Sequence, residues 1–215
     1  MALHRKVEDH VIENLKEFLK LAEIGLSTRK ADLDGDMVKD EGCLGAPAAV
    51  LLFSIIDAIG SYHRGDYKLK IKNHRRPYID DDGYVQFFIL NSHYFGQDLT
   101  WEEVAYIYGQ YRSNLTHNAA LNAGVLIYNR EEPDLFPVRN GARVVNLYAL
   151  YNATRAALRS FIDLSQGVIA GSRAVKNLKP ASQALGLKPS DDSVSPSGYV
   201  GQGVVISAAS GDTDH

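Results

Sequence analysis

The sequence predicts a mainly α fold, a helical bundle with a small β-hairpin inserted before its last core helix. Three observations carry this. Val7, Val11, Leu15, Phe18, Leu19 and Ala22 recur at helical spacing and lay one apolar stripe along an amphipathic helix. Gly45 to Gly60 is apolar almost throughout, as in a helix surrounded by others. Thr100 and Glu103 make a capping-box pattern ahead of Val104, Ile107, Tyr108, Tyr111 and Leu115, a core stripe at three- and four-residue steps.

Composition sets the limits within which these elements assemble. With 215 residues, 45% hydrophobic and 23% charged, the chain can bury one substantial core. The expected organisation is a bundle domain over residues 1–170 and a flexible Ser/Gly/Pro-rich tail over 171–215. The single cysteine, Cys43, cannot form an internal disulfide, and Met1 to Lys6 lead into charge rather than an apolar signal core, so a cytoplasmic location is expected. The Gly45 to Gly60 run is shorter than the roughly 20 residues of a membrane span and contains Asp57, so no membrane role is expected. A net charge of -3 gives no global attraction to polyanions; binding to nucleic acid requires a local patch.

The elements follow in order. After the first helix, the charged stretch from Arg29 to Glu41 holds Asp-Leu-Asp-Gly-Asp, but Met37-Val38-Lys39-Asp40 lacks the later ligands of a calcium loop. Pro47 suits the first turn of the central helix. Asp57 inside that helix must be hydrogen-bonded, paired with a cation or protonated. It is either a structural partner of an arginine or a backbone amide, or the group that orients a site residue. Tyr67 to Lys72 alternates Tyr, Leu and Ile with Lys68, Lys70 and Lys72, and Arg75 and Arg76 prolong the positive run. Lysines of this kind protect an exposed strand edge or loop; the functional alternative is a surface that contacts an RNA backbone.

Asp80-Asp81-Asp82-Gly83 marks a turn before a helix over Tyr84 to Phe95. Beside the stripe of the next helix, Ala105, Gly109, Arg112 and Thr116 form a strip of small and polar residues that another helix can approach closely. Gly124 to Tyr128 reads as a short strand, and Asn140-Gly141 favours a tight turn between Leu135–Val138 and Arg143–Val145. Leu147, Leu150, Tyr151, Leu158, Phe161, Ile162 and Leu164 restore a helical stripe from Asn146 to Ile169, with Arg155 and Arg159 on its polar side.

The chemistry of the chain concentrates in Arg112-Ser113-Asn114-Leu115-Thr116-His117. An arginine fork grips two phosphate oxygens at once, and an imidazole with an unperturbed pKa of about 6.5 exchanges a proton near neutrality. Five residues advance a regular helix by about 140°, so the two side chains converge only if the helix ends near Ser113 or if two copies face each other across a two-fold axis. The structural alternative pairs Arg112 with Asp57 or Glu103 and sets His117 at a helix C-terminus. His4, His10, His63, His74 and His93 show no metal-ligand spacing, and neither a Gly-rich phosphate loop nor a Gly-x-Ser-x-Gly elbow is present, so no metal and no cofactor are expected.

Arg112 and His117, with four residues between them in Tyr111-Arg-Ser-Asn-Leu-Thr-His117-Asn118 near the end of a late core helix, resemble the signature of the HEPN family. This is a helical-bundle group, and the resemblance covers roughly Val7 to Ile169. The family commonly has Asn, Asp or His directly after the arginine; here Ser113 stands there and Asn114 follows. The resemblance implies a homodimer with one of two functions. One is a metal-independent endoribonuclease, in a defence or toxin-like role, with Arg112 and His117 catalytic and Asn114, Ser113 and Asp57 in support. Lys68, Lys70, Lys72, Arg75 and Arg76 would then hold the RNA. The other is a catalytically silent dimerisation, adaptor or RNA-binding module. A partner protein and an RNA target are not readable from the residues.

Overall fold

The computed structural model describes residues 7–33, 42–66, 69–71, 79, 84–118, 121, 127–164 and 167–172. The chain divides into one unit over Met1–Leu178 and another over Lys179–His215, and the second lies outside the described residues. So do the expectations for the tail beyond Ser172, for Asp80 to Gly83 and for most of the basic run.

The fold is mainly helical. Helix α1 (Val7–Ser27) turns its stripe inward at Leu15 and Ala22, and continues one turn beyond Ala22 so that Gly25 meets the start of the next helix. A Cβ at Gly25 would sit 3.3 Å from the Leu44 carbonyl oxygen, so glycine allows the close approach. Helix α2 (Gly45–Tyr62) is the centre, packed against α1, α3 (Val85–Leu90) and α6 (Leu147–Leu164). Its length and hydropathy would suffice to cross a membrane, but here Leu52, Phe53, Ile55, Ile56 and Ile59 lie buried among neighbouring elements. At Gly60 the approach of α3 is closer still: an added Cβ would fall 2.1 Å from Val85 Cγ1.

Helix α3 stops at Leu90, short of the expected Phe95, because Asn91 ends it. The Asn91 side chain donates to the Leu99 carbonyl at 2.9 Å and accepts from the Leu99 amide at 2.8 Å. A buried amide that satisfies both backbone groups of a residue eight positions on fixes a loop, not a further turn of helix.

Helix α4 (Trp101–Ile107) starts at a complete capping box: Thr100 Oγ1 accepts from the Glu103 amide at 3.2 Å, and the Thr100 amide donates to Glu103 Oε2 at 2.9 Å. The helix does not end at Ser113. It widens into a π-helical stretch, Tyr108–Ser113, and resumes as α5 (Asn114–Asn118). Through the widening the buried residues Val104, Ile107, Tyr111 and Leu115 keep one face of the helix inward.

Two small sheets follow. Strand β1 (Ile127–Tyr128) pairs in parallel with β4 (Val145–Asn146), in the register Ile127 to Val145. Strands β2 (Val138–Arg139) and β3 (Ala142–Arg143) pair antiparallel through Asn140 and Gly141, whose φ values of 52° and 77° suit a type I′ turn. Buried Asn146 donates to the Glu132 carbonyl at 3.0 Å and stitches the intervening loop to the sheet. Helix α6 ends at Leu164 rather than Ile169. Gly167, at φ 104°, redirects the chain into the short α7 (Val168–Gly171), and Ser172 after it is buried.

Candidate functional site

Asp57 occupies the middle of α2 on the side facing α3 and the π-helical stretch. It accepts hydrogen bonds from Gln86 Nε2 on Oδ1 and from the Tyr108 hydroxyl on Oδ2. Arg112 approaches the same Oδ2, with Nε at 3.6 Å, and lies over the Tyr108 ring 5.4 Å from its centroid. Tyr108 and Arg112 are four residues apart on one helix face, so both reach a carboxylate on the neighbouring helix. Burial pushes the Asp57 carboxyl above its ordinary range, against the pull of its Tyr108, Gln86 and Arg112 partners. Burial and the adjacent carboxylate together push the Tyr108 hydroxyl well up, so it stays protonated and donating.

The guanidinium is held by one end. Among the described residues Nε is buried without a hydrogen bond, because 3.6 Å to Asp57 is an ion-pair distance rather than a hydrogen bond. The side chain as a whole is nevertheless 29% exposed. His117 is exposed on α5. Ser113 closes the π-helical stretch half-buried, and Asn114 Nδ2 donates back to the Gln110 carbonyl at 3.4 Å.

The structure therefore brings Asp57 and Arg112 together, adds Gln86 and Tyr108, and places His117 beyond them toward the end of the same helix. Lys70 is exposed. Lys68, Lys72, Arg75 and Arg76 lie outside the described residues. Glu103, the other acid considered for Arg112, instead accepts from Arg143 Nε at 2.8 Å. A geometry in which the helix ends near Ser113 and folds back is excluded by the continuation into α5.

Sequence reasoning missed Gln86 and Tyr108 as partners of Asp57. Gln86 carried a signal, as the one polar residue of Val85–Leu90. Tyr108 carried less, since its spacing also fits a core residue. A second polar cluster was missed as well: His63 Nδ1 lies 3.0 Å from Asp66 Oδ2 and Nε2 lies 2.8 Å from the Tyr94 hydroxyl. The spacing of His63 and Asp66 was visible, but no local pattern announces the contact with Tyr94. Compared with known proteins, the chain matches no family model, no curated protein and no solved structure.

Proposed function

We propose that this chain is a HEPN-like, metal-independent endoribonuclease that works as a homodimer, with Arg112 and His117 as its reacting groups. The observation that carries the reading is the one-sided hold on Arg112. Asp57 and the Tyr108 ring fix the guanidinium where its Nε is buried, and in this reading the terminal nitrogens of the partly exposed side chain meet a phosphate. A preorganised cation of this kind stabilises negative charge on a phosphate without having to reorient during reaction.

In the proposed step the ribose 2′-oxygen attacks phosphorus and the bond to the 5′-oxygen breaks, leaving a cyclic phosphate and a 5′-hydroxyl. One His117 takes the 2′-hydroxyl proton and the His117 of the second subunit protonates the departing oxygen. The requirement for a 2′-hydroxyl selects RNA over DNA. Asn114 lies two residues after Arg112 and three before His117 and would bind a phosphate oxygen, while Lys70, Lys68, Lys72, Arg75 and Arg76 would hold the flanking backbone.

The same ion pair supports a second reading. An arginine that neutralises Asp57 needs no substrate to justify it, so a catalytically silent dimer or adaptor would keep it. The test is cleavage of single-stranded RNA by the purified protein in the presence of a chelator. The nuclease reading expects cyclic-phosphate ends, loss of cutting in His117→Ala, and an unchanged oligomer by light scattering. A protein that is dimeric but leaves RNA intact supports the second reading, and a monomer removes both.

A further inference from the structure

A cleft of about 690 Å³ opens at the C-terminal end of α2, within the usual range for small-molecule sites. Its first lining residue, Tyr62, is five residues and about 140° around the helix from Asp57. Its apolar lining includes Tyr62, Leu69 and Val168, and its polar lining includes the chain Asp66, His63, Tyr94. Tyr62 is stacked on Phe161 with centroids 6.1 Å apart, and His93 lies against Tyr94 at 4.2 Å, so flat rings border the space.

The polar chain has a direction. A carboxylate only accepts, so His63 Nδ1 carries the proton and donates to Asp66 at 3.0 Å, and Nε2 accepts from the Tyr94 hydroxyl at 2.8 Å. Tyr94 thus commits its one proton inward. Toward the cleft its oxygen can only accept, so a group that meets it must bring a proton of its own. Burial draws His63 below its ordinary range and raises Tyr94 to about 12, so the imidazole and the hydroxyl rest uncharged, and it is the Asp66 carboxylate on Nδ1 that favours the imidazolium formed when a proton arrives. The charged neighbours are Asp66, which favours a protonated His63, and His93, which opposes it. Arg64 in the lining and Lys70 beside His93 add positive charge.

We propose that this cleft binds a small aromatic compound with an acidic hydroxyl, a phenol, and that Tyr94 and His63 relay its proton so that it is held as the phenolate. The ligand proton passes to the Tyr94 oxygen and the Tyr94 proton passes to His63 Nε2. The resulting imidazolium lies against the Asp66 carboxylate. Charge and atoms balance within these four groups, and no co-reactant is required. The site shares no residue with the Asp57 and Arg112 cluster, so the two proposals stand or fall separately.

The experiment uses 4-nitrophenol and the full chain, at a pH below the pKa of the free compound, where only the bound phenolate absorbs in the visible. Wild type is expected to bind it with a phenolate spectrum. Tyr94→Phe, which keeps the ring and removes the acceptor, is expected to lose that spectrum and to bind about tenfold more weakly, the scale of one hydrogen bond. Val168→Trp, which fills the cleft, is expected to abolish binding, and circular dichroism checks that both variants are folded. Binding of the neutral phenol by wild type, absence of binding, an unchanged spectrum in Tyr94→Phe, or full binding by Val168→Trp would each overturn the proposal.

Discussion

Asp57 and Arg112 form an unequal pair: among the described residues the carboxylate has hydrogen bonds from Gln86 and Tyr108 in addition to the cation at 3.6 Å, whereas the guanidinium has this one acid and the face of one ring. The acid can therefore lose its charge and keep its position, while the arginine depends on the acid for its own.

Asp57→Ala is expected to lower stability by about 1–3 kcal/mol, since the Tyr108 hydroxyl and the Gln86 amide lose their acceptor. Asp57→Asn keeps an acceptor and removes a charge that burial disfavours. It should melt close to wild type at neutral pH, and RNA cleavage should still fall because Arg112 loses its anchor. The folded-state pKa of Asp57 is raised, so its charge costs stability above that pKa and the cost is relieved toward the ordinary value of 3.8. The stability of Asp57→Asn relative to wild type should accordingly drop as pH falls into that window. Thermal melts of both proteins down to about pH 4 check the sign.

His63 gives the opposite slope. Its folded-state pKa is lowered from 6.5, chiefly by burial, so its contribution is intact above 6.5 and is lost as pH falls through the folded value. His93, also lowered, adds to the same trend. Melting temperature should decline with acidification below about 6.5, and a His63→Gln variant should show a shallower decline. An equal slope in the variant would assign the acid sensitivity elsewhere.

Gly60→Ala should destabilise by about 1–3 kcal/mol, because the new methyl falls 2.1 Å from Val85 Cγ1 and α2 and α3 must part or Val85 must leave its rotamer. Adding Val85→Ala to Gly60→Ala should recover part of that loss. A double-mutant cycle by urea denaturation measures the coupling.

Thr100→Ala removes one half of the capping box at α4 and should cost about 1 kcal/mol, while Thr100→Ser should cost much less. Chemical denaturation distinguishes the two. Equal losses would place the role of Thr100 in its methyl group.

The helices were legible in the sequence because burial follows periodicity at most of their apolar positions, while Val7, Phe18 and Leu164 of the expected stripes are exposed. The stripe of α1, the apolar run of α2 and the capping box of α4 each follow from local spacing. The ends were less legible, since Asn91 and Gly167 act through a side-chain bridge and a left-handed backbone that interrupt an otherwise continuous apolar pattern. Within the site, Asp57 stood out as a lone acid in an apolar helix, and its pairing with Arg112 was one of two arginine contacts the sequence allowed. The contributions of Gln86 and Tyr108 depend on helix packing across 29 and 51 residues of chain, which no local pattern encodes. The π-helical stretch was unreadable because the spacing of Val104, Ile107, Tyr111 and Leu115 fits a regular α-helix equally well.

The widened coil between Tyr108 and Ser113 amounts to a surplus residue carried inside an otherwise ordinary rod. Were a deletion to remove Gly109, the rod could tighten to regular pitch while the turns after it kept close to their present bearing, because the wider coil is what absorbs the additional residue. The same deletion in a stretch of regular pitch would swing everything beyond it by about 100° and retract it by about 1.5 Å. The widened coil is thus the place in this helix where chain length can change while α5 and the bundle beneath it stay in register.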